Sequence, residues 1–135
     1  MRILLIDDDK DDQLLFVDAV TLISDEIICN TADDGQQGLE FLAHADPLPD
    51  LVFLDINMPR VDGRQTLQAI RSNPRLRALP VIIYSTSCSK LDIRWARDMS
   101  ADYLTKPNDF LELVSALTLR LHQPTFAEVI QSASR

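Results

Sequence analysis

Apolar residues along this chain fall into short unbroken runs that alternate with longer stretches of helical spacing. Ile3-Leu4-Leu5-Ile6 is too short and too apolar to be anything but a buried strand, and Asp7-Asp8-Asp9 ends it. The spacing then predicts a helix from about Asp11 to Ile23, with acidic residues in the first turn, where the helix dipole favours them. Glu26 to Asn30 reads as a second, shorter strand, and Asp33-Asp34-Gly35 opens a helix to about His44. After the stiff Pro47-Leu48-Pro49 connector, Leu51-Val52-Phe53-Leu54 is the clearest buried strand, terminated by Asp55. A loop with Met58-Pro59 leads to a helix from about Gly63 to Ser72, closed by Asn73-Pro74. Val81 to Tyr84 forms a strand ending at Ser85, and helices from about Lys90 to Met99 and Asp109 to Leu121 flank a short strand at Asp102 to Leu104.

Five strand–helix units of this kind predict an α/β domain. Parallel strands need helical crossovers, those crossovers are right-handed, and the result is a three-layer sandwich around a five-stranded sheet. The strand order 2-1-3-4-5 is taken over from flavodoxin-like folds, whose general order it is, rather than read from these residues. Residues 1–122 make up the expected domain. Residues 123–135 fit either an extra helix or a C-terminal tail.

Composition narrows the function. At 135 residues with 46% hydrophobic, the chain suits one packed domain. A net charge of −8 argues against nucleic acid and anionic membranes as ligands, since both reward Lys/Arg surfaces. Cys29 and Cys88 lie far apart without metal-like spacing, so free thiols in a reducing cytoplasm are expected. No signal peptide or membrane span is visible.

In open α/β sheets, ligands bind beyond the carboxyl ends of the strands. Those ends carry Asp7, Asp8 and Asp9, then Asp55 and Asn57, then Ser85 and Thr86, and finally Lys106. Singly, each has a bland explanation: a helix cap, a turn residue or a solvated surface charge. Together they are harder to dismiss, because clustered carboxylates repel unless a cation compensates. Few hard oxygen ligands suit Mg²⁺, while a lysine and a hydroxyl suit an arriving phosphoryl group. The set reads as phosphoryl-transfer equipment.

At this point the chain resembles the receiver domains of two-component systems, from about Arg2 to Leu121. The stretches that carry the resemblance are Ile3-Leu4-Leu5-Ile6-Asp7-Asp8, Leu51 to Pro59, Asp62-Gly63, Pro80 to Ser85, and Tyr103-Leu104-Thr105-Lys106-Pro107. It implies a stand-alone, chemotaxis-receiver-like signalling module rather than an enzyme, phosphorylated on Asp55 by a sensor histidine kinase. The resemblance makes Asp8 a direct Mg²⁺ ligand, with Asp7 acting largely through water and the Asn57 main-chain carbonyl as a further ligand. Ser85 would be the switch hydroxyl, Lys106 the phosphoryl-binding lysine and Tyr103 the aromatic that reports the switch. It also implies a cis Lys106–Pro107 bond. Two departures stand out: Ser85 where threonine is common, and the larger Thr86 where alanine or glycine is frequent. Tyr84 to Ser87 and Leu104 to Asn108 further resemble receivers paired with phytochrome-type kinases.

Rival readings exist. Asp7-x-Asp9 resembles the nucleophile motif of haloacid-dehalogenase-type phosphatases, but Asp11 replaces the expected threonine or valine and Asp55 is left unexplained. A flavin carrier would want a Gly/Ser/Thr-rich anion loop after the first strand, and this loop is acidic. A receiver fold that signals without phosphate would not need the complete acid, hydroxyl and lysine set. His44, His122 and Cys88 are expected to be passive, Asp11 and Asp12 to be helix-terminal charges, and Trp95 to be either core or interface. The first helix is apolar almost all round, so Leu15 and Leu22 serve either deeper burial or kinase docking. The output face is expected on the fourth helix, fifth strand and fifth helix. Phe110, Leu113, Val114, Leu117 and Leu121 form one stripe there, enough to cover the sheet, and Leu91, Trp95 and Met99 form another. With no output domain visible, this face is expected to support a homodimer or an unidentified downstream protein.

Overall fold

The structure, a computed structural model, describes residues 1–58 and 61–122. Pro59, Arg60 and the 123–135 segment lie outside the described residues. The elements are β1 (Arg2–Ile6), α1 (Lys10–Ile23), β2 (Ile28–Ala32), α2 (Gly35–His44), β3 (Leu51–Leu54), α3 (Gly63–Ser72), β4 (Val81–Ser85), α4 (Lys90–Asp98), β5 (Asp102–Thr105) and α5 (Phe110–Leu121). Every expected element is present, in one five-stranded sheet of order β2-β1-β3-β4-β5 with all pairs parallel.

The central strands are continuous apolar runs because both of their faces are covered. Side chains alternate across the sheet. Ile3, Leu5, Leu51, Phe53, Ile82 and Tyr84 pack under α1 and α5, with Phe16, Ala19, Leu113 and Leu117. Leu4, Ile6, Val52, Leu54, Val81 and Ile83 pack under α2, α3 and α4, with Leu42, Leu67, Ile70 and Ala96. Phe16, Phe53 and Tyr84 meet edge-to-face, with centroids 4.9 to 6.1 Å apart.

Three expectations need correction. β2 begins at Ile28 rather than Glu26, because Ser24 to Glu26 form a turn in which Glu26 N–H donates to Ser24 Oγ at 3.2 Å. The Lys106–Pro107 bond is not cis. The cis bond among the described residues is Asp46–Pro47, and Lys106–Pro107 follows the ordinary trans preference. Leu91 leaves the stripe assigned to α4: it is 77% exposed, while Trp95 and Met99 pack against the core. The α5 stripe is as expected, all five residues lying in or against the core beneath α1 and α5.

Candidate functional site

Strand register brings the chemistry together. Ile6 pairs with Leu54, so Asp7 and Asp55 emerge side by side, with Asp55 N–H donating to Ile6 O at 3.0 Å. Ser85 pairs with Thr105, which sets Lys106 beside Ser85, its N–H donating to Ser85 O at 2.7 Å. The turn after β1 is locked by buried Gln13, whose Nε2 donates to Asp7 O at 2.5 Å and to Asp33 Oδ1 at 3.0 Å. The turn after β3 is closed by Gly63, where a Cβ would fall 2.2 Å from Asp55 O. Only glycine lets α3 start so near that backbone.

Asp7, Asp8 and Asp55 offer carboxylate oxygens within 4.8 Å of one another. Asp7 is fully buried, Asp55 is 6% exposed and Asp8 faces solvent. Asp7 Oδ1 accepts from Asp9 N–H at 3.0 Å, and Asp55 Oδ1 accepts from Asn57 N–H at 3.0 Å. Lys106 Nζ sits 2.7 Å from Asp12 Oδ2, 2.8 Å from Asp7 Oδ2 and 3.4 Å from Asp55 Oδ2. The contact to Asp7 Oδ2 is an ion contact without hydrogen-bond alignment, so that buried oxygen has no aligned donor.

The electrostatics follow from burial. Desolvation raises the Asp7 carboxyl from 3.8 to about 6, against the pull of Lys106 and the Asp9 N–H, with the Asp55 charge adding to the rise. Burial alone would lower the Lys106 ammonium, but the hydrogen bond to Asp12, the close Asp7 carboxylate and the Asp55 charge outweigh it and raise it. A crowded carboxylate trio, one of whose buried oxygens meets an ammonium but no aligned donor, fits a hard divalent cation of the Mg²⁺ class.

Ser85 is fully buried, and its Oγ accepts from Asn57 Nδ2 at 3.4 Å and Ser87 N–H at 3.2 Å. Tyr103 is not part of this first cluster. It is half-buried, and its hydroxyl donates to Ser87 O at 2.7 Å, one loop away. The bland explanation holds for the other rim aspartates: Asp9, Asp34, Asp62 and Asp109 cap α1, α2, α3 and α5 through their side chains. Asp12 is the site residue that sequence reading passed over. It sits in the first turn of α1, as expected, yet its carboxylate is the nearest to Lys106.

The family model of the response regulator receiver domain matches residues 3–118. The chain belongs to the response-regulator receiver family. This receiver is 34% identical to the protein PilG of Pseudomonas aeruginosa over 130 residues, covering 96% of this chain and 92% of that protein. It is 33% identical to response regulator Rcp1 of Synechocystis over 119 residues, covering 82% and 80%. The Mn²⁺-bound form of Rcp1 matches with a TM-score of 0.78 at 29% identity, over 92% of this chain and 96% of that one. The phosphorylated cyanobacterial phytochrome response regulator RcpA matches with a TM-score of 0.80 at 32% identity, over 88% and 89%.

Proposed function

We propose that this receiver takes a phosphoryl group onto Asp55 from the phosphohistidine of a sensor kinase, in a Mg²⁺-dependent reaction. The observation that carries the reading is the carboxylate trio of Asp7, Asp8 and Asp55, with the ammonium of Lys106 lying between Asp7 and Asp55. A divalent ion held by Asp7, Asp8, Asp55 and the Asn57 main-chain carbonyl would neutralise the carboxylates and the incoming phosphoryl oxygens. An Asp55 carboxylate oxygen attacks phosphorus, and the bond to the kinase imidazole breaks with its electron pair on that nitrogen. Lys106 then donates to a phosphoryl oxygen, and the Ser85 hydroxyl to another. Burial of Asp7 at 0% exposure speaks against a phosphatase reading in which it is the nucleophile.

Two relatives support the finer assignments by their descriptions, one a Mn²⁺-bound form and one a phosphorylated phytochrome response regulator. A phytochrome-type kinase is the partner proposed here, with signalling through α4, β5 and α5 to a downstream protein or a second copy. The site of action proposed with it is cytoplasmic; among the described residues no helix is long and apolar enough to cross a membrane.

The test is intact-mass measurement after incubation with acetyl phosphate and Mg²⁺. Wild type gains one phosphoryl mass, Asp55→Asn gains none, and chelation suppresses the gain. A persistent gain in Asp55→Asn would move the nucleophile to Asp7 and overturn the reading. Sedimentation with and without beryllofluoride tests self-association.

A further inference from the structure

The β4–α4 loop is fastened at three points, and they meet at Ser87. Its N–H donates to Ser85 Oγ at 3.2 Å, its carbonyl accepts from Tyr103 Oη at 2.7 Å, and its Oγ donates to Asp92 Oδ2 at 2.8 Å. Asp92 lies in the first turn of α4, its side chain only 17% exposed. Its other oxygen is paired with Arg64 of α3. The Arg64 guanidinium in turn lies 5.3 Å from the ring centre of Trp95, one helical turn further along α4. A continuous chain of contacts therefore runs from the Ser85 hydroxyl to a different helix on the far side of the loop.

We propose that Arg64 and Asp92 are positioning residues that hold the loop in its resting arrangement and so set how readily Ser85 engages an anion on Asp55. This rests on the receiver reading above. For Ser85 to turn toward Asp55, Ser87 must give up or stretch its bond to Ser85 Oγ, or move with it. Moving with it requires Ser87 Oγ to leave Asp92, which α3 holds in place through Arg64. Contacts made only in the resting arrangement lower the affinity for whatever ligand demands the other one. The pair thus acts against phosphoryl binding without touching the phosphoryl group.

Beryllofluoride binding in Mg²⁺, followed by calorimetry, tests this on the full chain. Arg64→Gln and Asp92→Asn should each tighten binding by about threefold to tenfold, the range of one partly buried charged contact. Affinity for Mg²⁺ alone should stay as in wild type, since the trio of carboxylates is untouched. The charge swap Arg64→Asp with Asp92→Arg should leave binding as tight as in the single variants, because a guanidinium at that position cannot accept from the Ser87 hydroxyl, whereas an effect of the ion pair alone would be reversed by it. Trp95, the single tryptophan of the chain, should change emission in Arg64→Gln and, on beryllofluoride binding, in wild type. Single variants that bind beryllofluoride as wild type does would overturn the latch while leaving the receiver reading intact. A wild type that binds none would overturn the receiver reading and the latch with it.

Discussion

Lys106 Nζ is 2.7 Å from Asp12 Oδ2 but 3.4 Å from Asp55 Oδ2, so the lysine is held most closely by a carboxylate outside the proposed metal set. An anion on Asp55 competes with Asp12 for the same ammonium and is repelled by its charge. Asp12→Asn should leave the helix cap intact, because that bond uses the Asp12 N–H. Phosphorylation by acetyl phosphate should accelerate about twofold to fivefold, the scale of one partly exposed ion pair. The initial rate of mass gain measures it, and a slower rate would mean that Asp12 orients the lysine instead of sequestering it.

Asp7 predicts a pH dependence in metal-free protein. Its folded carboxyl is raised by burial to about 6, from 3.8, so the folded state binds the proton more tightly than the unfolded chain does. The stability this confers is complete below pH 3.8 and is lost as pH rises through about 6. Asp7→Asn should therefore be more stable than wild type at neutral pH, by on the order of 1 kcal/mol, with the gain vanishing in acid. Thermal melts in chelator across that window check it. A gain that stays constant with pH would mean that Asp7 ionisation is not its source.

Gly63→Ala should damage the site from behind. The added methyl would meet Asp55 O at 2.2 Å and Ile56 Cα at 2.4 Å, both backbone atoms that cannot swing aside. A loss of about 2 kcal/mol or more is expected, as for other overpacked sites, together with weakened Mg²⁺ binding. Chemical denaturation and metal titration read the two effects separately. Wild-type values in both would place the start of α3 further from β3 than described.

On α1, Leu15 and Leu22 are 45% and 65% exposed, which removes deep burial as their role. Leu15→Glu and Leu22→Glu should each change stability by no more than about 0.5 kcal/mol, as surface substitutions do. If α1 docks the kinase, phosphotransfer from it should weaken while acetyl phosphate still works. Unfolding of either variant would return these residues to the core.

Burial on both faces made β1, β3 and β4 legible, since Leu51 to Leu54 and Val81 to Tyr84 admit no other reading. β2 was misplaced by two residues because it is an edge strand whose Ile28, Asn30 and Thr31 face solvent, so apolar content does not mark its start. Asp7, Asp55 and Ser85 were legible because each directly follows or ends a buried strand, and Lys106 because it directly follows the half-buried β5. Asp12 was not: a first-turn aspartate has an adequate local reason to exist, and its partner lies 94 residues away. The chain from Ser87 through Asp92 to Arg64 is equally invisible in sequence, since its members are ordinary polar residues on three separate elements.

The aspartate caps on α1, α2, α3 and α5 have a consequence for selectivity. Bare helix N-termini, with free N–H groups and partial positive charge, are ready-made seats for phosphate. Here each of those four is already occupied by a carboxylate from the chain itself, and α4 begins on the neutral Ser89. Free inorganic phosphate and nucleotides, plentiful in any cell, thus meet a rim already saturated with internal anions. The aspartates that start the helices also leave those four N-termini no free seat for an anion.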